Sequence, residues 1–343
     1  MIMGKIDFVL AWVDGSDPSW IVEKKKYENK GCDSVGLGDA NSQCRYRDDG
    51  LLKYWFRCVE NNAPWVNKIH FVTCGQKPIW LVENHPKLNL VNHSDYIPSQ
   101  YLPTFNANTI EMNFHRIDSL SEQYVYFNDD EFILQELTPD FFFKNGQPVL
   151  ETNLKYSNKV GYNNWSRLVF NDYCVVNRSF DIRKSIWKNR GKWFNIAELG
   201  MKRARQNFLC YIANKTLPVG LYGHVALPHL KSTLQEIWDA CPDIMTQAMM
   251  HKFRMDDQVN QWLLCAWNQA KGSFYPTHEN KIGKNFSLST ANVDKLCEAI
   301  KSKQFPQICI NDTKKNTEPE RCFKLVSEAF ESILPNKSSF EKA

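Results

Sequence analysis

Two apolar runs that each end abruptly in acidic residues constrain this chain more than any other feature. Residues 6–13, IDFVLAWV, are rich in β-formers and stop at Asp14-Gly15-Ser16-Asp17-Pro18, a cluster of turn residues. Residues 124–127, YVYF, stop in the same manner at Asn128-Asp129-Asp130-Glu131. Successive strand residues face opposite ways, so a run with no polar alternation is a strand buried on both sides, the condition of a central parallel strand. Two further strands are predicted, one over 68–73 (KIHFVT, stopped by Gly75) and a short one over 88–91. A helix between the first two strands carries Leu51, Leu52, Trp55, Phe56 and Val59 on one face, with Asp48 or Asp49 as its cap and Pro64 after its end. The spacing predicts a second helix over 106–120. Its apolar stripe is Ile110, Phe114 and Ile117, and its polar stripe is Asn108, Glu111, His115 and Asp118. Strands alternating with helices imply βαβ units, hence an α/β fold with a Rossmann-like, mostly parallel central sheet flanked by helices. Ligands of such sheets bind outside the carboxyl ends of the strands, where both acidic turns fall.

The rest of the chain reads more coarsely. Residues 141–220 are aromatic and basic, with helix expected within 188–203; 232–240 and 256–270 also read as helical. Thr317-Glu318-Pro319-Glu320 matches a capping box, followed by the apolar face Phe323, Val326, Phe330 and Ile333 and stopped by Pro335. One domain is expected over 1–335: an α/β half (1–140), a mixed, mainly helical half (141–315) and a C-terminal helix (316–335), with a tail at 336–343. A chain of 343 residues, 43% hydrophobic, can bury a core of that size. The net charge of +4 comes without a basic stripe, which argues against a nucleic-acid partner and allows an anionic substrate. The 11 cysteines include no Cys-x-x-Cys pair, so they read as reduced thiols of a cytoplasmic protein. No signal peptide is visible, and no apolar stretch approaches the ~20 residues needed to span a bilayer, which leaves open a peripheral association with the inner face of the membrane or with a capsule assembly. Lys24-Lys25-Lys26 reads as a solvated helix face, and the Gly-, Asp- and Ser-rich segment 31–43 as a surface loop and candidate lid.

Four constellations suit chemistry. Asn128-Asp129-Asp130 offers the hard oxygen ligands that Mg2+ or Mn2+ takes beside a diphosphate, or else it is an acidic turn or helix cap. In Asp14-Gly15-Ser16-Asp17 the glycine admits close backbone approach, and Asp14 and Asp17 either hold ligand hydroxyls or cap a turn. His224 and His229, in GHVALPH, are candidates for acid–base work or for structural burial. Arg254 and Asp257, in FRMDD, suit phosphate contact or a surface ion pair. No Walker loop, no G-x-G-x-x-G after a strand and no G-x-S-x-G elbow occurs.

Taken together, these segments resemble the conserved blocks of the Stealth family of bacterial capsular-polysaccharide phosphotransferases. IDFVLAWVDGSDPSW resembles the first block. RYRDDGLLKYWFRCVENNAPWVNKIHFVTCGQKPIWL, continuing through LPTFNANTIEMNFHRIDSLSEQYVYFNDDEFIL, resembles the second. GHVALPHLKSTLQEIWD with FRMDDQVNQWLL resembles the third, and FPQICINDTKKN the fourth. The resemblance covers about residues 6–335 and implies a Rossmann-like core, a UDP-sugar donor, a carbohydrate acceptor and a Mg2+ or Mn2+ ion. It implies transfer of a sugar-1-phosphate with release of UMP, the metal-dependent glycosyltransferase that releases UDP being the alternative. By the same resemblance, Glu111 and Asp130 fall on essential acidic positions, His224 on the catalytic histidine and Arg254 on an active-site arginine. Arg45, Asp48, Arg57, His115 and Arg116 fall on motif positions, and Asn311 on an Asn-Asp pair facing the same site. The implied metal ligands are Glu111, Asp130 and Asn311. Asn108, His229 and Asp257 join the substrate-binding candidates.

Overall fold

The computed structural model describes residues 4–28, 41–47, 49–154, 164–213, 223–312 and 316–342. Asp48 and most of the candidate lid lie outside the described residues. The central sheet is built from β1 (Ile6–Ala11), β2 (Ile69–Thr73), β3 (Leu88–Asn92), β4 (Gln123–Asn128) and a later strand described below. Their order is β3-β2-β1-β4, all parallel. Because the side-chain period of a strand is two, each strand feeds two cores. Ile6, Phe8 and Leu10 of β1 join Val125 and Phe127 of β4 on one face, while Val9 joins Tyr124 and Tyr126 on the other. The first face is covered by helices Leu52–Asn62, Val293–Lys301 and Pro319–Ile333, and the second by helices Asn164–Ser179, Lys231–Ala240, Pro242–Met249 and Trp262–Lys271. The α/β, Rossmann-like expectation holds.

Several local expectations give way to packing. After Asn128 the chain turns within two residues into β5 (Glu131–Ile133), leaving the main sheet. A hairpin follows, β6 (Phe143–Lys144) and β7 (Gln147–Glu151). The GHVALPH segment is not simply a loop: β8 (Leu227–Leu230) runs antiparallel beside β4 and completes the sheet. Then β9 (Tyr275–Thr277) pairs with β7, and β10 (Lys284–Ser287) pairs with β11 (Gln307–Asn311), which pairs antiparallel with β5. These short strands carry no long alternating pattern, so the sequence hides them.

The helix expected over 106–120 is two fragments, Ala107–Glu111 and the 3-10 turn Phe114–Arg116. Asn113, at φ −112° and ψ 0°, donates its side-chain amide to the Thr109 carbonyl (2.8 Å) and interrupts the helical ladder. The polar stripe is lost with the helix: Asn108, Glu111 and His115 are buried, and only Asp118 stays exposed. The helix predicted from 256 begins at Trp262, and the capping box at Thr317 does not form, since helix Pro319–Ile333 starts after Glu318 without a side-chain cap.

Arg57 is a correction to the predicted site. Its guanidinium is buried under the C-terminal segment. Nε and Nη2 donate to the two carboxylate oxygens of Glu341 (2.8 and 2.9 Å), and Nη1 donates to Glu331 (3.0 Å) and to the Leu334 carbonyl (2.8 Å). It fastens the chain end to helix Leu52–Asn62, with four of its five N–H donors spent there, so it is structural rather than a substrate contact. Removing one partner of a buried pair strands the other, at a cost of about 3–5 kcal/mol. Arg57→Met is therefore expected to lower the unfolding free energy by about 3 kcal/mol in urea titration, while the turnover of the folded fraction stays unchanged.

Candidate active site

The chain leaves β1 towards β2 on one side, and β4 lies on the other side of β1, so a crevice opens between the ends of β1 and β4. Register sets Ala11 beside Asn128 and brings the two acidic turns together. In the first turn the carboxylates serve the backbone. Asp14 Oδ1 accepts the Ser16 amide and hydroxyl (2.8 and 2.6 Å). Asp17 Oδ1 accepts the Ser19 amide and hydroxyl (2.8 and 2.6 Å) at the start of helix Pro18–Glu28, and its Oδ2 accepts from Gln76 (2.9 Å). The hydrogen bonds from Ser19 and Gln76 hold the Asp17 carboxyl down at about 2. Gly15 admits a close approach, as its sequence suggested, but of protein rather than ligand. A Cβ there would collide with the Tyr46 carbonyl oxygen. That contact seats the neighbouring residue, Arg45, whose Nη1 donates to Asn311 Oδ1 (2.7 Å) at the end of β11 and whose Nε is buried without a partner.

The second turn is closed by Glu131, a residue the motif reading passed over. Its carboxylate accepts the Asn128 amide (3.0 Å) and side-chain NH2 (3.1 Å). Burial, then the charge of Asp130, push it well above the usual carboxylate range. The Asp130 carbonyl accepts the Ile310 amide (2.8 Å), while Asp130 Oδ1 is buried with no partner. Across β11, Cys309 lies opposite Glu131. His224, in the approach to β8, sets Nδ1 3.2 Å from Cys309 Sγ and 3.6 Å from Glu131 Oε1. Burial lowers the His224 pKa, Asp130 opposes that shift, and Arg45 and Arg254 reinforce it, so the imidazole is neutral at neutral pH. Burial likewise pushes the Cys309 thiol well above its ordinary range and keeps it protonated.

Glu111 approaches from the other core. Tyr126, on β4, donates its hydroxyl to Glu111 Oε1 (3.1 Å) and lies within reach of Asn128 Oδ1 (3.0 Å). Burial lifts the Glu111 pKa to about 7 against the opposing influence of Arg254 and Tyr126. Arg254 is held through its backbone: its amide and carbonyl bond the Asn41 side chain (3.3 and 3.1 Å). Asn106 donates to the His251 and Phe253 carbonyls, and Asn108 donates to Gln258 (3.1 Å). Asn108 is thus a buried brace and not a substrate contact. A cleft lined by Arg45, Tyr46, Asn128, Asp129 and Arg254 adjoins a second one of about 410 Å3 lined by Asp17, Gln76 and Asn92. The two share Trp20, Cys74, His93, Thr104 and Phe105 and form one trench along the ends of β1 to β3. Trp20 and Phe105, 5.6 Å apart, are the aromatic wall that sequence reasoning missed; the only signal was the tryptophan closing the first quoted block.

Four predicted residues lie apart from this cluster. His229 is buried in β8 against Tyr124, with Nε2 3.5 Å from Gln261 Oε1 and its pKa depressed by burial to about 4. Of the two histidines, only His224 faces Asp130. His115 packs on Trp238 with neither ring nitrogen bonded, its pKa pushed by burial to about 3. Arg116 lies over the same tryptophan ring at 4.8 Å. Both flank helix Lys231–Ala240, where the chain enters β4 rather than leaves it. Asp257 is exposed beside His251 (3.2 Å).

With this geometry in hand, comparison with known proteins is decisive. The family models for Stealth protein conserved regions 1 and 2 match residues 4–32 and 45–150. The capsular polysaccharide phosphotransferase WcwK of Streptococcus pneumoniae is 39% identical over 345 residues, covering 99% of this chain and 100% of that protein. This chain is a member of the Stealth family. It is a phosphotransferase. The receptor polysaccharide phosphotransferase WefC of Streptococcus oralis is 38% identical over 343 residues, covering 99% of this chain and 100% of its own length. Among solved structures, the galactosyltransferase LgtC in complex with donor and acceptor sugar analogues aligns over 97% of this chain and 98% of that chain at 11% identity, with a TM-score of 0.38, too slight a likeness to argue from.

The donor set of this Stealth phosphotransferase fits a divalent cation, and of the three predicted ligands Asp130 is the one that offers an unengaged oxygen. Asn311 Oδ1 is engaged by Arg45 and Glu111 Oε1 by Tyr126. The atoms that converge, within 4.8 Å of one another, belong to Asp130, His224 and Cys309. A thiol kept protonated is a poor ligand. Mg2+ commonly needs only one or two carboxylates plus substrate phosphates. The unpartnered Asp130 oxygen meets that requirement.

The Glu111 shift has a direction that can be checked. An unfolded glutamate loses its proton near 4.5 and folded Glu111 near 7, so the native state binds the extra proton between those values. Stability therefore falls as pH rises through that window, with the penalty complete above it. Without added divalent cation, Glu111→Gln is expected to be more stable than the parent near pH 8, by up to about 3 kcal/mol, and equal to it near pH 4. Thermal melts across pH give the comparison; parallel curves for the two proteins would show the carboxyl titrates normally.

Proposed function

We propose that this Stealth phosphotransferase moves a hexose-1-phosphate from a UDP-sugar to a hydroxyl of an oligo- or polysaccharide, forming a phosphodiester and releasing UMP, in the synthesis of a capsular or other cell-surface polysaccharide. The observation that carries this reading is the meeting of Arg45, Arg254, Asp130 and a neutral His224 at the crevice between β1 and β4. Two guanidinium groups suit a diphosphate, and a neutral imidazole suits a hydroxyl that must lose its proton. The polysaccharide role rests on the names of the full-length relatives.

In this reading the trench walled by Trp20 and Phe105 takes the nucleoside and leads the diphosphate to Arg45 and Arg254. In the tautomer that carries its hydrogen on Nδ1, turned to Cys309 Sγ and Glu131, His224 accepts the acceptor proton at Nε2. The acceptor oxygen attacks the sugar-bearing phosphorus, the bond to the UMP oxygen breaks, and the anomeric C–O bond is untouched, so configuration is retained. Arg45 and Arg254 balance charge on the phosphoryl oxygens, where positioning and electrostatics supply most of the acceleration. A Mg2+ or Mn2+ held by Asp130 supplies further neutralisation of the diphosphate. Glu111, poised near 7, tunes the charge beside Arg254. We place the reaction in the cytoplasm, in keeping with ten free cysteines among the described residues.

The nucleotide product tests the reaction. UMP accumulating in step with acceptor consumption is expected, and UDP without UMP would make the enzyme a glycosyltransferase. His224→Asn is expected to lower kcat by about 10²–10⁴-fold with little change in KM for the donor. An unaffected kcat would remove the imidazole from the chemistry.

A further inference from the structure

The segment 181–213 is the least like the rest of the molecule. It carries eight Lys or Arg against two Asp or Glu, a net of +6, where the whole chain nets +4, so the remainder is net −2. The same segment concentrates exposed apolar side chains. Met201, Phe208, Leu209 and Ile212 of helix Ile196–Ala213 are 42–73% exposed. They recur at helical spacing, on the same face as exposed Arg205, and so form an apolar stripe turned away from the core. Leu199, Ala204, Asn207 and Cys210 are the residues this helix buries instead.

A neighbouring helix extends the stripe into a patch. Trp187 of helix Ile182–Lys188, itself 52% exposed, stacks on Tyr211 at 6.0 Å. Phe194 bridges to Phe208 (5.4 Å) and Tyr211 (5.8 Å). Cations rim these rings: Arg183 lies 5.0 Å from the Tyr211 ring and Arg190 5.4 Å from that of Trp187. Lys188 and Lys202 are exposed beside them. Large apolar and aromatic side chains ringed by Lys and Arg are the composition of a helix that lies in a bilayer interface, its rings at headgroup depth and its cations on anionic lipids. A protein partner's surface would be covered as well by an uncharged rim. The concentration of positive charge here, in a chain otherwise slightly negative, selects an anionic surface. Among the described residues no helix is long and apolar enough to cross a membrane, so the contact is peripheral.

We propose that the face formed by helices Ile182–Lys188 and Ile196–Ala213 docks this enzyme onto an anionic lipid bilayer. In the basic run at 24–26, two of the three lysines are engaged locally: Lys24 pairs with Glu28 and lies over the Tyr46 ring, and Lys26 pairs with Glu23. Co-sedimentation of the full chain with phosphatidylglycerol–phosphatidylcholine vesicles tests the proposal. Binding is expected at low salt, and is expected to be lost with pure phosphatidylcholine or at high salt. Leu209→Ser with Ile212→Ser, and separately Lys202→Glu with Arg205→Glu, are each expected to weaken partitioning by about tenfold or more. Circular dichroism and turnover on a water-soluble acceptor should stay at the parental level. A parent protein that remains in the supernatant with anionic vesicles at low salt overturns the proposal, as does binding unchanged by both variants. A concentration-dependent dimer that the serine variant abolishes would assign the face to a second copy of the chain and overturn it too.

Discussion

The parallel pairing of β1 with β4 is the constraint on which the rest of this enzyme depends. Both strands are apolar on both faces, so they are stable only at the centre of a three-layer sandwich, and their pairing sets Ala11 opposite Asn128. Two turns that are more than a hundred residues apart in the chain thereby open into one crevice. The polar groups that gather there could not be tolerated inside either core, and they sit where the sheet stops because that is the one central place where layers no longer meet.

Within the crevice, the groups that suit chemistry are held by groups that do not. Asp14 and Asp17 shape the first turn, and Glu131 closes the second by bonding Asn128. Gly15 lets the Tyr46 backbone lie against the first turn, which places Arg45 against Asn311. Asn106, Asn108 and Gln258 tie the loop bearing Arg254 to the fragment bearing Glu111. Buried carboxamides are well suited to this work, since each satisfies backbone groups without adding charge to a place where charge must be controlled. The same low polarity lifts the Glu111 pKa to about 7 and keeps His224 neutral.

Much of this was legible beforehand. The four parallel strands, the helix Leu52–Asn62 and the C-terminal helix follow from apolar periodicity and turn residues, and Asp130, Arg45, Arg254 and Glu111, singled out by setting or by resemblance, lie about one crevice. Errors cluster where a motif position turned out to be structural. Arg57 and His115 lie in blocks rich in site residues, yet one is locked to Glu341 and the other is buried against Trp238. A motif records that a residue matters, and buried ion pairs and packing matter as much as chemistry. The helix expected over 106–120 failed for a related reason: period 3.6 was present, but Asn113 bonds the Thr109 carbonyl and the chain follows the core.

Which strands are central and which turns carry acid can be read from local residue pattern, because burial on two faces and chain reversal are local demands that side-chain type must meet. Which of the polar residues meet is set by the packed fold. Cys309 and His224 are 85 residues apart and come together because β11, paired with β10 on one side, takes the distant β5 on the other, and β8 runs back beside β4. Long-range pairing of short strands depends on the summed fit of whole surfaces, and no local pattern encodes it.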